Sequence, residues 1–189
     1  MRTTLVICLA LIGAVMVQTP ARSQDPYAAV NAMRVAFSQV RSVTATESFS
    51  TGGSATVEYN FPDRFQITTG RSRIILIGAT EYVKPNAGRW ATSPNGAEHQ
   101  TLLAAAWQLG GPPNIDLRDL YTVDEQGTKT IGTTLARGFR LHDASGGNDE
   151  IVWIGPDNLP LTARIEMSGQ TITINYSNYN HAVQVATPL

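Results

Sequence analysis

The sequence predicts a mainly β protein of the α+β class, with a single antiparallel sheet curled towards a barrel and two helical segments available to cover its apolar face. Three observations predict this fold. Apolar and polar residues alternate with period two along most of the chain, turn-forming Gly, Asn and Ser recur at short intervals, and helical patterns occur only near the start and in the middle. Such alternation is typical of antiparallel strands with one buried face.

The first residues of the chain have the pattern of a secretory signal peptide. Met1 and Arg2 provide a positively charged start, residues 5–17 form an apolar run, and small residues at 21 and 23 precede Gln24. The apolar run is shorter than the roughly 20 residues that a membrane-spanning helix needs. We therefore predict a signal peptide at 1–23, cleaved before Gln24, and a single domain at 24–189 that works outside the cytoplasm.

The only cysteine, Cys8, lies inside this apolar run and follows the bulky Ile7. A lipid-attachment cysteine follows a completed apolar segment and a small residue, so we interpret Cys8 as part of the signal peptide. The exported chain then has no disulfide and no thiolate ligand. Removal of residues 1–23 leaves 166 residues, which is enough for one domain stabilised by a buried core.

The charge balance argues against nucleic acid as a partner. Loss of Arg2 and Arg22 leaves 12 Lys and Arg against 15 Asp and Glu, with no basic cluster. Affinity for nucleic acid comes largely from Lys and Arg contacts to phosphates. We therefore expect no nucleic-acid partner.

The domain begins with a predicted helix. Asp25 is a suitable N-cap and Pro26 fits the first helical position. Apolar residues then recur at spacings of three and four, at Val30, Met33, Phe37 and Val40. We expect this helix to end near Ser42, where the composition becomes strand-like.

Period-two alternation dominates the rest of the chain. The apolar sides of the predicted strands carry Val57, Tyr59 and Phe61; Phe65 and Ile67; Leu135, Phe139 and Leu141; Ala163, Ile165 and Met167; and Ile172, Ile174 and Tyr176. Turn signals separate these runs, as at 51–54, 70–71, 86–88, 145–148 and 168–169.

Helix-forming residues interrupt this pattern at 101–109, and a shorter helical piece is expected at 115–121. The helix from Pro26 and the 101–109 segment are the available covers for the apolar face of the sheet. A tight cover would make an ordinary filled core, whereas a loose cover would leave an apolar cavity. The small side chains of Ala104, Ala105 and Ala106 favour the cavity, but periodicity alone leaves both arrangements open.

The sequence shows no constellation typical of an enzyme, a cofactor site or a metal site. His99, His142 and His181 are isolated from one another, and His142-Asp143 is interpreted as a solvated loop pair. The adjacent carboxylates Asp149 and Glu150 would point to opposite faces of a strand. We therefore expect no catalytic residues, no cofactor and no metal.

Several short motifs resemble those of one protein family. Phe61-Pro62-Asp63-Arg64-Phe65 is similar to a turn of the LolA-like periplasmic lipoprotein carriers. Tyr82, Pro85 and Trp90 resemble the strands that follow this turn, 153–160 resembles a late hairpin, and 174–188 resembles the closing strands. The order and spacing of these motifs extend the resemblance over 27–188.

This resemblance implies an incomplete antiparallel β-barrel, with helices over its concave side enclosing an apolar cavity. Members of the family, which include mycobacterial lipid-binding lipoproteins, bind acyl chains and carry them across the periplasm. We therefore expect a monomeric carrier for an acyl chain of a lipid or lipoprotein, with an envelope membrane protein as a further candidate partner. The expected cavity residues are Phe61, Phe65, Tyr82, Trp90, Leu102, Leu103 and Trp107.

One departure separates this chain from the dedicated lipoprotein carriers. They place an arginine immediately before the proline of the first turn, where this chain has Phe61. We therefore expect a lipid-binding protein without the lid chemistry of those carriers. A non-enzymatic envelope scaffold with a filled core, and an enzyme on the same fold, are the alternatives.

The signal-peptide interpretation predicts where the exported protein begins. N-terminal sequencing of protein recovered from the periplasm should start at Gln24 or within a residue or two of it, because the cleavage signal ends at Ser23. A membrane-retained form carrying a lipid on Cys8 would contradict this interpretation.

Overall fold

The computed structural model describes residues 25–94 and 115–188, apart from 145, 148 and 168. The helices in these ranges are α1 (Pro26–Ser38) and α2 (Leu117–Leu120). The strands are β1 (Ser42–Phe49), β2 (Ser54–Asn60), β3 (Arg64–Thr69), β4 (Ser72–Ile77), β5 (Thr80–Pro85), β6 (Ala91–Ser93), β7 (Tyr121–Ile131), β8 (Thr134–Asp143), β9 (Asp149–Ile154), β10 (Pro160–Met167) and β11 (Gln170–Ser177). Neither of these helices has the length and apolar character needed to span a membrane.

All eleven strands belong to one antiparallel sheet with the order β6-β5-β4-β3-β2-β1-β11-β10-β9-β8-β7. It consists of two meanders, β1–β6 and β7–β11, which are joined by the pairing of β1 with β11. Among the described residues, β6 and β7 are the edges, so the sheet that these residues form does not close into a complete barrel. The predicted fold class is confirmed, while the predicted helical cover at 101–109 lies outside the described residues.

The first helix begins as predicted and ends earlier than predicted. The Asp25 carboxylate accepts a hydrogen bond of 3.1 Å from the Tyr27 N–H, and Pro26 occupies the first turn. The helix ends at Ser38 rather than near Ser42, because the pairing of β1 with β2 already begins at Ser42. The sequence pattern could not show this, since Val40 is buried in the connection and continues the apolar stripe.

The second helix is a single turn that sits beside the start of α1. Asp116 caps it, and its Leu117 side chain is fully buried. The Arg118 guanidinium lies 3.0 Å from Asp25 and 4.4 Å from the centre of the Tyr27 ring. Both members of the Arg118–Asp25 ion pair are about half exposed, so this pair positions α2 more than it stabilises the fold.

The tightest part of the core is a row of side chains across four neighbouring strands. Val43, Tyr59, Phe65 and Leu76 are directly opposite one another in the register, and each is at most 1% exposed. The rings of Tyr59 and Phe65 meet edge to face with 4.9 Å between their centres. This row defines the inner, concave face of the sheet.

The chain after β11 does not form a further strand. It crosses the ends of β1, β2 and β3, where Asn60 Nδ2 donates to the Val183 carbonyl at 3.2 Å and Arg64 donates to the Val185 carbonyl at 3.3 Å. Val185 is 4% exposed, so this segment seals one end of the sheet. The expected closing strands are therefore β11 followed by an extended covering segment.

A glycine at one cross-strand contact on the outer face is required by a tryptophan. Gly138 on β8 is opposite Trp153 on β9, and a Cβ at Gly138 would lie 2.7 Å from two carbons of that ring. The Trp153 ring is also covered by the Lys129 ammonium, 4.0 Å from its centre. A shift of the indole away from Gly138 would also disturb this cation–π contact.

Gly138→Ala should lower the free energy of unfolding by about 1–3 kcal/mol, because the added methyl overpacks the contact with Trp153. Gly70→Ala is the matched control, since a Cβ there meets nothing within 4 Å, and it should change stability by no more than about 0.5 kcal/mol. Chemical denaturation measures both variants, and equal effects would show that the indole ring can move aside.

Candidate functional site

Burial differs between parts of the concave face. Towards the end of the sheet that the 178–188 segment crosses, side chains are fully buried, as in the row of Val43. Five apolar side chains elsewhere on this face are only half buried: Phe49, Ile165 and Ile172 towards the opposite end, and Ile67 and Ile74 beside the buried Val57. We call these five residues the open apolar end.

The register explains how the open apolar end is assembled. Phe49 is opposite Ile172, and Ile172 is opposite Ile165, across β1, β11 and β10. On the other side, Ile67 is opposite Ile74. The pairing of β1 with β11 therefore places Phe49 of the first meander beside Ile172 of the second on the concave face.

Helix α1 seals a different part of the face. The Phe37 ring packs edge-on against Tyr176 and Tyr179, with centres 6.1 Å and 6.3 Å away. At the other end of the helix, the Tyr27 hydroxyl donates to the Tyr121 carbonyl at 3.4 Å. The helix thus spans from the β11 side to β7.

Two of the sequence-predicted cavity residues lie along the buried part of the face. Phe65 is 1% exposed and belongs to the core row. Phe61 is half buried, follows β2 and stacks on Tyr59 with 5.8 Å between ring centres. Phe61 lies near the end crossed by the 178–188 segment, away from the open apolar end, and its role in binding stays a prediction.

The other predicted residues do not join this surface. Tyr82 is opposite Ile75, whereas Glu81 is opposite the inward-facing Leu76, so Tyr82 lies on the outer face of β5. Trp90 precedes β6 near the outer Lys84, whose ammonium is 6.0 Å from its ring centre. Leu102, Leu103 and Trp107 lie outside the described residues.

Sequence reasoning missed the isoleucines of the open apolar end as site residues. Their alternation was visible, as for Ile165 and Ile172, but alternation shows only which face a residue shares. It does not show how completely that face is covered.

Sequence reasoning also missed a carboxylate on the apolar face. Glu47 shares the inner face of β1 with Val43, Ala45 and Phe49, and its side chain is half buried. Burial raises the pKa of Glu47 above its ordinary value of 4.5. Burial also raises the pKa of Tyr59 and of Tyr176, and the charge of Glu47 adds to both shifts. The sequence did contain a signal for this inward carboxylate, because Glu47 occupies the next alternate position after Val43 and Ala45.

Asp149 and Glu150 point to opposite faces, as the sequence predicted. Glu150 is 8% exposed on the inner face, opposite Leu141 and Ile165. Asp149 faces outwards, where His142 and Arg140 hydrogen bond to it and hold its pKa below the usual value of 3.8. His142 thus contacts Asp149 across the strands.

A polar cleft of about 550 Å³ lies beside this cluster, at the ends of the strands on the outer face. His142, Asp149, Arg164 and Glu166 line it, and Arg164 is paired with Glu166 at 2.7 Å. Within the described ranges, no three or more His, Cys, Asp or Glu residues are grouped to hold a metal ion. Polarity makes this cleft unlike an acyl-chain site.

The raised pKa of Glu47 predicts a pH-dependent variant. The folded state holds the Glu47 proton more tightly than the unfolded state, so this contribution to stability is present at low pH and lost as the pH rises through the raised pKa. Glu47→Gln should therefore match the wild-type Tm at acidic pH, where Glu47 is protonated, and exceed it at pH values above the raised pKa of Glu47. Thermal unfolding at pH values on both sides of this pKa measures the difference.

Glu58→Gln is the matched control for this measurement. Glu58 lies on the outer face of the neighbouring strand and accepts a hydrogen bond from the Gln66 amide. The control should show no such gain at neutral pH, and a pH-independent Tm difference for Glu47→Gln would contradict the prediction.

The fold has been seen in solved proteins of mycobacteria. The chain superimposes on the lipoprotein LppX of Mycobacterium tuberculosis with a TM-score of 0.66 and 18% identity, covering 86% of this chain and 100% of LppX. LprF of Mycobacterium bovis gives a TM-score of 0.65 and 13% identity, covering 86% of this chain and 96% of LprF. No family model and no curated protein matches the sequence.

Identity at this level establishes a shared fold. The arrangement is the one that the resemblance implied: an open antiparallel sheet with a helix packed on its concave side. The chain therefore shares the fold of LppX and LprF.

Proposed function

We propose that this chain is a periplasmic, non-enzymatic carrier that holds an acyl chain of a lipid or lipoprotein at the open apolar end. The observation that carries the proposal is the half-buried state of Ile67, Ile74, Ile165 and Ile172 on a face that is otherwise a sealed core. Water-exposed apolar surface gathered on a concave face is typical of small-molecule sites.

The energetics of an acyl chain suit this surface. Each methylene that leaves water for an apolar environment contributes about 0.8 kcal/mol. The isoleucines of β3 and β4 and those of β10 and β11 flank the inner face on both sides of β1 and β2, which gives a long chain apolar contacts on each side.

The proposed location and form follow from the sequence. A signal peptide at 1–23 would deliver a domain at 24–189 to the periplasm, where it would act as a monomer. The shared fold with LppX, a lipoprotein, and the LolA-like resemblance both support a role in lipid handling.

Saturating acyl ligand should raise the Tm of the wild-type protein by roughly 5–10 °C, because a ligand at about 100 times its Kd stabilises the folded state by about 2.7 kcal/mol. Ile172→Asn should weaken uptake of a fluorescent fatty-acyl probe by about tenfold, since it places an amide in the apolar contact. Ile151→Asn is the matched control, because Ile151 is a half-buried isoleucine on the outer face.

Equal uptake by both variants would place the ligand elsewhere. If fatty acids, phospholipids and acylated peptides all leave the wild-type melting curve unchanged, the filled-core scaffold replaces the carrier as the best interpretation.

A further inference from the structure

Glu47 is the charged residue closest to the open apolar end on β1. It lies one inward position from Phe49, opposite Ala55 on β2 and Ile174 on β11. Ala55 and Ile174 are 6% and 8% exposed, so the carboxylate is flanked by buried apolar side chains. A solvent-facing strand position would accommodate a glutamate at no cost, whereas this one imposes desolvation.

The carboxylate of Glu47 makes no hydrogen bond or ion pair with any part of the chain that the structure describes. Other glutamates of these strands are engaged. Glu125 is bound by Arg137 at 3.1 Å, and Glu58 accepts from the Gln66 amide. Glu47 keeps part of its side chain exposed to solvent, so its carboxylate is open to a hydrogen-bond donor that a bound ligand brings.

We propose that Glu47 is the polar receptor beside the open apolar end and selects lipids whose polar group carries a hydrogen-bond donor, such as a hydroxyl, an amide N–H or an ammonium. This inference rests on the proposed acyl-chain site. With the chain against Ile165 and Ile172, a group at the start of the chain could lie over β1 and donate to the Glu47 carboxylate. A hydrogen bond to a charged acceptor in such surroundings is among the stronger ones.

The charge distribution of the concave face supports this selection. Glu81 and Glu150 lie on the same face and are 2% and 8% exposed. The cations near the face are already engaged: Arg137 binds Glu125, and Arg34 of α1 donates to Asn31 and to the Ile115 carbonyl. A free fatty-acid carboxylate would meet like charge beside Glu47, where partial burial weakens solvent screening.

The test compares three ligands with one acyl chain: laurate, its monoglyceride and its ethanolamide, each below its micelle concentration. Affinities are measured near pH 8 by displacement of a fluorescent apolar dye. The wild-type protein should bind the two donor-bearing ligands about tenfold more tightly than laurate.

Two substitutions separate the charge of Glu47 from its acceptor. Glu47→Gln removes the charge and keeps a carbonyl acceptor. The affinity advantage of the two donor-bearing ligands over laurate should therefore fall to about threefold or less, chiefly because laurate binds more tightly. Glu47→Leu removes both and should abolish the preference while retaining uptake of the acyl chain. Glu58→Gln, on the outer face, should leave the relative affinities of the three ligands as they are in the wild-type protein.

The possible failures are distinguishable. Equal binding of all three ligands by wild-type protein, tighter binding of laurate, or an unchanged preference in both Glu47 variants would overturn the role of Glu47 and leave the carrier intact. If none of the ligands displaces the dye or shifts the Tm, the acyl-chain site itself is wrong and the inference fails with it. Circular dichroism of each variant confirms that the comparison concerns folded protein.

Discussion

The pairing of β1 with β11 is the constraint on which the rest of the structure depends. Each meander is built from neighbouring strands in sequence, but this pair joins residues at opposite ends of the domain, from Thr44 with Ser177 to Phe49 with Ile172. The two meanders thereby share one concave face. The short connection from α1 to β1 keeps the helix packed against that face. Without this ladder, neither half would have enough apolar surface on one side to bury a common core.

One part of the concave face is a buried core that stabilises the fold, and another part remains accessible. The row of Val43, Tyr59, Phe65 and Leu76 is packed completely and provides the core. Ile67 and Ile74, further along β3 and β4, are covered only in part, as are Ile165 and Ile172 on β10 and β11. Because strand alternation continues unchanged, one pattern supplies both regions, and their difference comes from what packs above them.

The polar groups of the sheet also differ between its outer and inner faces. On the outer face they are mutually satisfied, as in the contacts of Asp149 with Arg140 and His142. The long edge strand β7 carries exposed charges and a bulge between Glu125 and Gly127, features that oppose edge-to-edge association. Glu47 differs from these groups because it faces an apolar surface, and this contrast makes it the most informative polar side chain for function.

The sequence alone determined the fold class, the start of α1, the inward and outward residues of most strands and the opposite directions of Asp149 and Glu150, because period and capping are local properties. It could not determine the strand order, the end of α1 at Ser38 or the extent of cover over the face. Phe65 and Tyr82 looked alike as pocket candidates, yet register places them on opposite faces. The partial burial of Glu47 and of the open apolar end emerged only from tertiary structure, since it depends on residues that are distant in sequence.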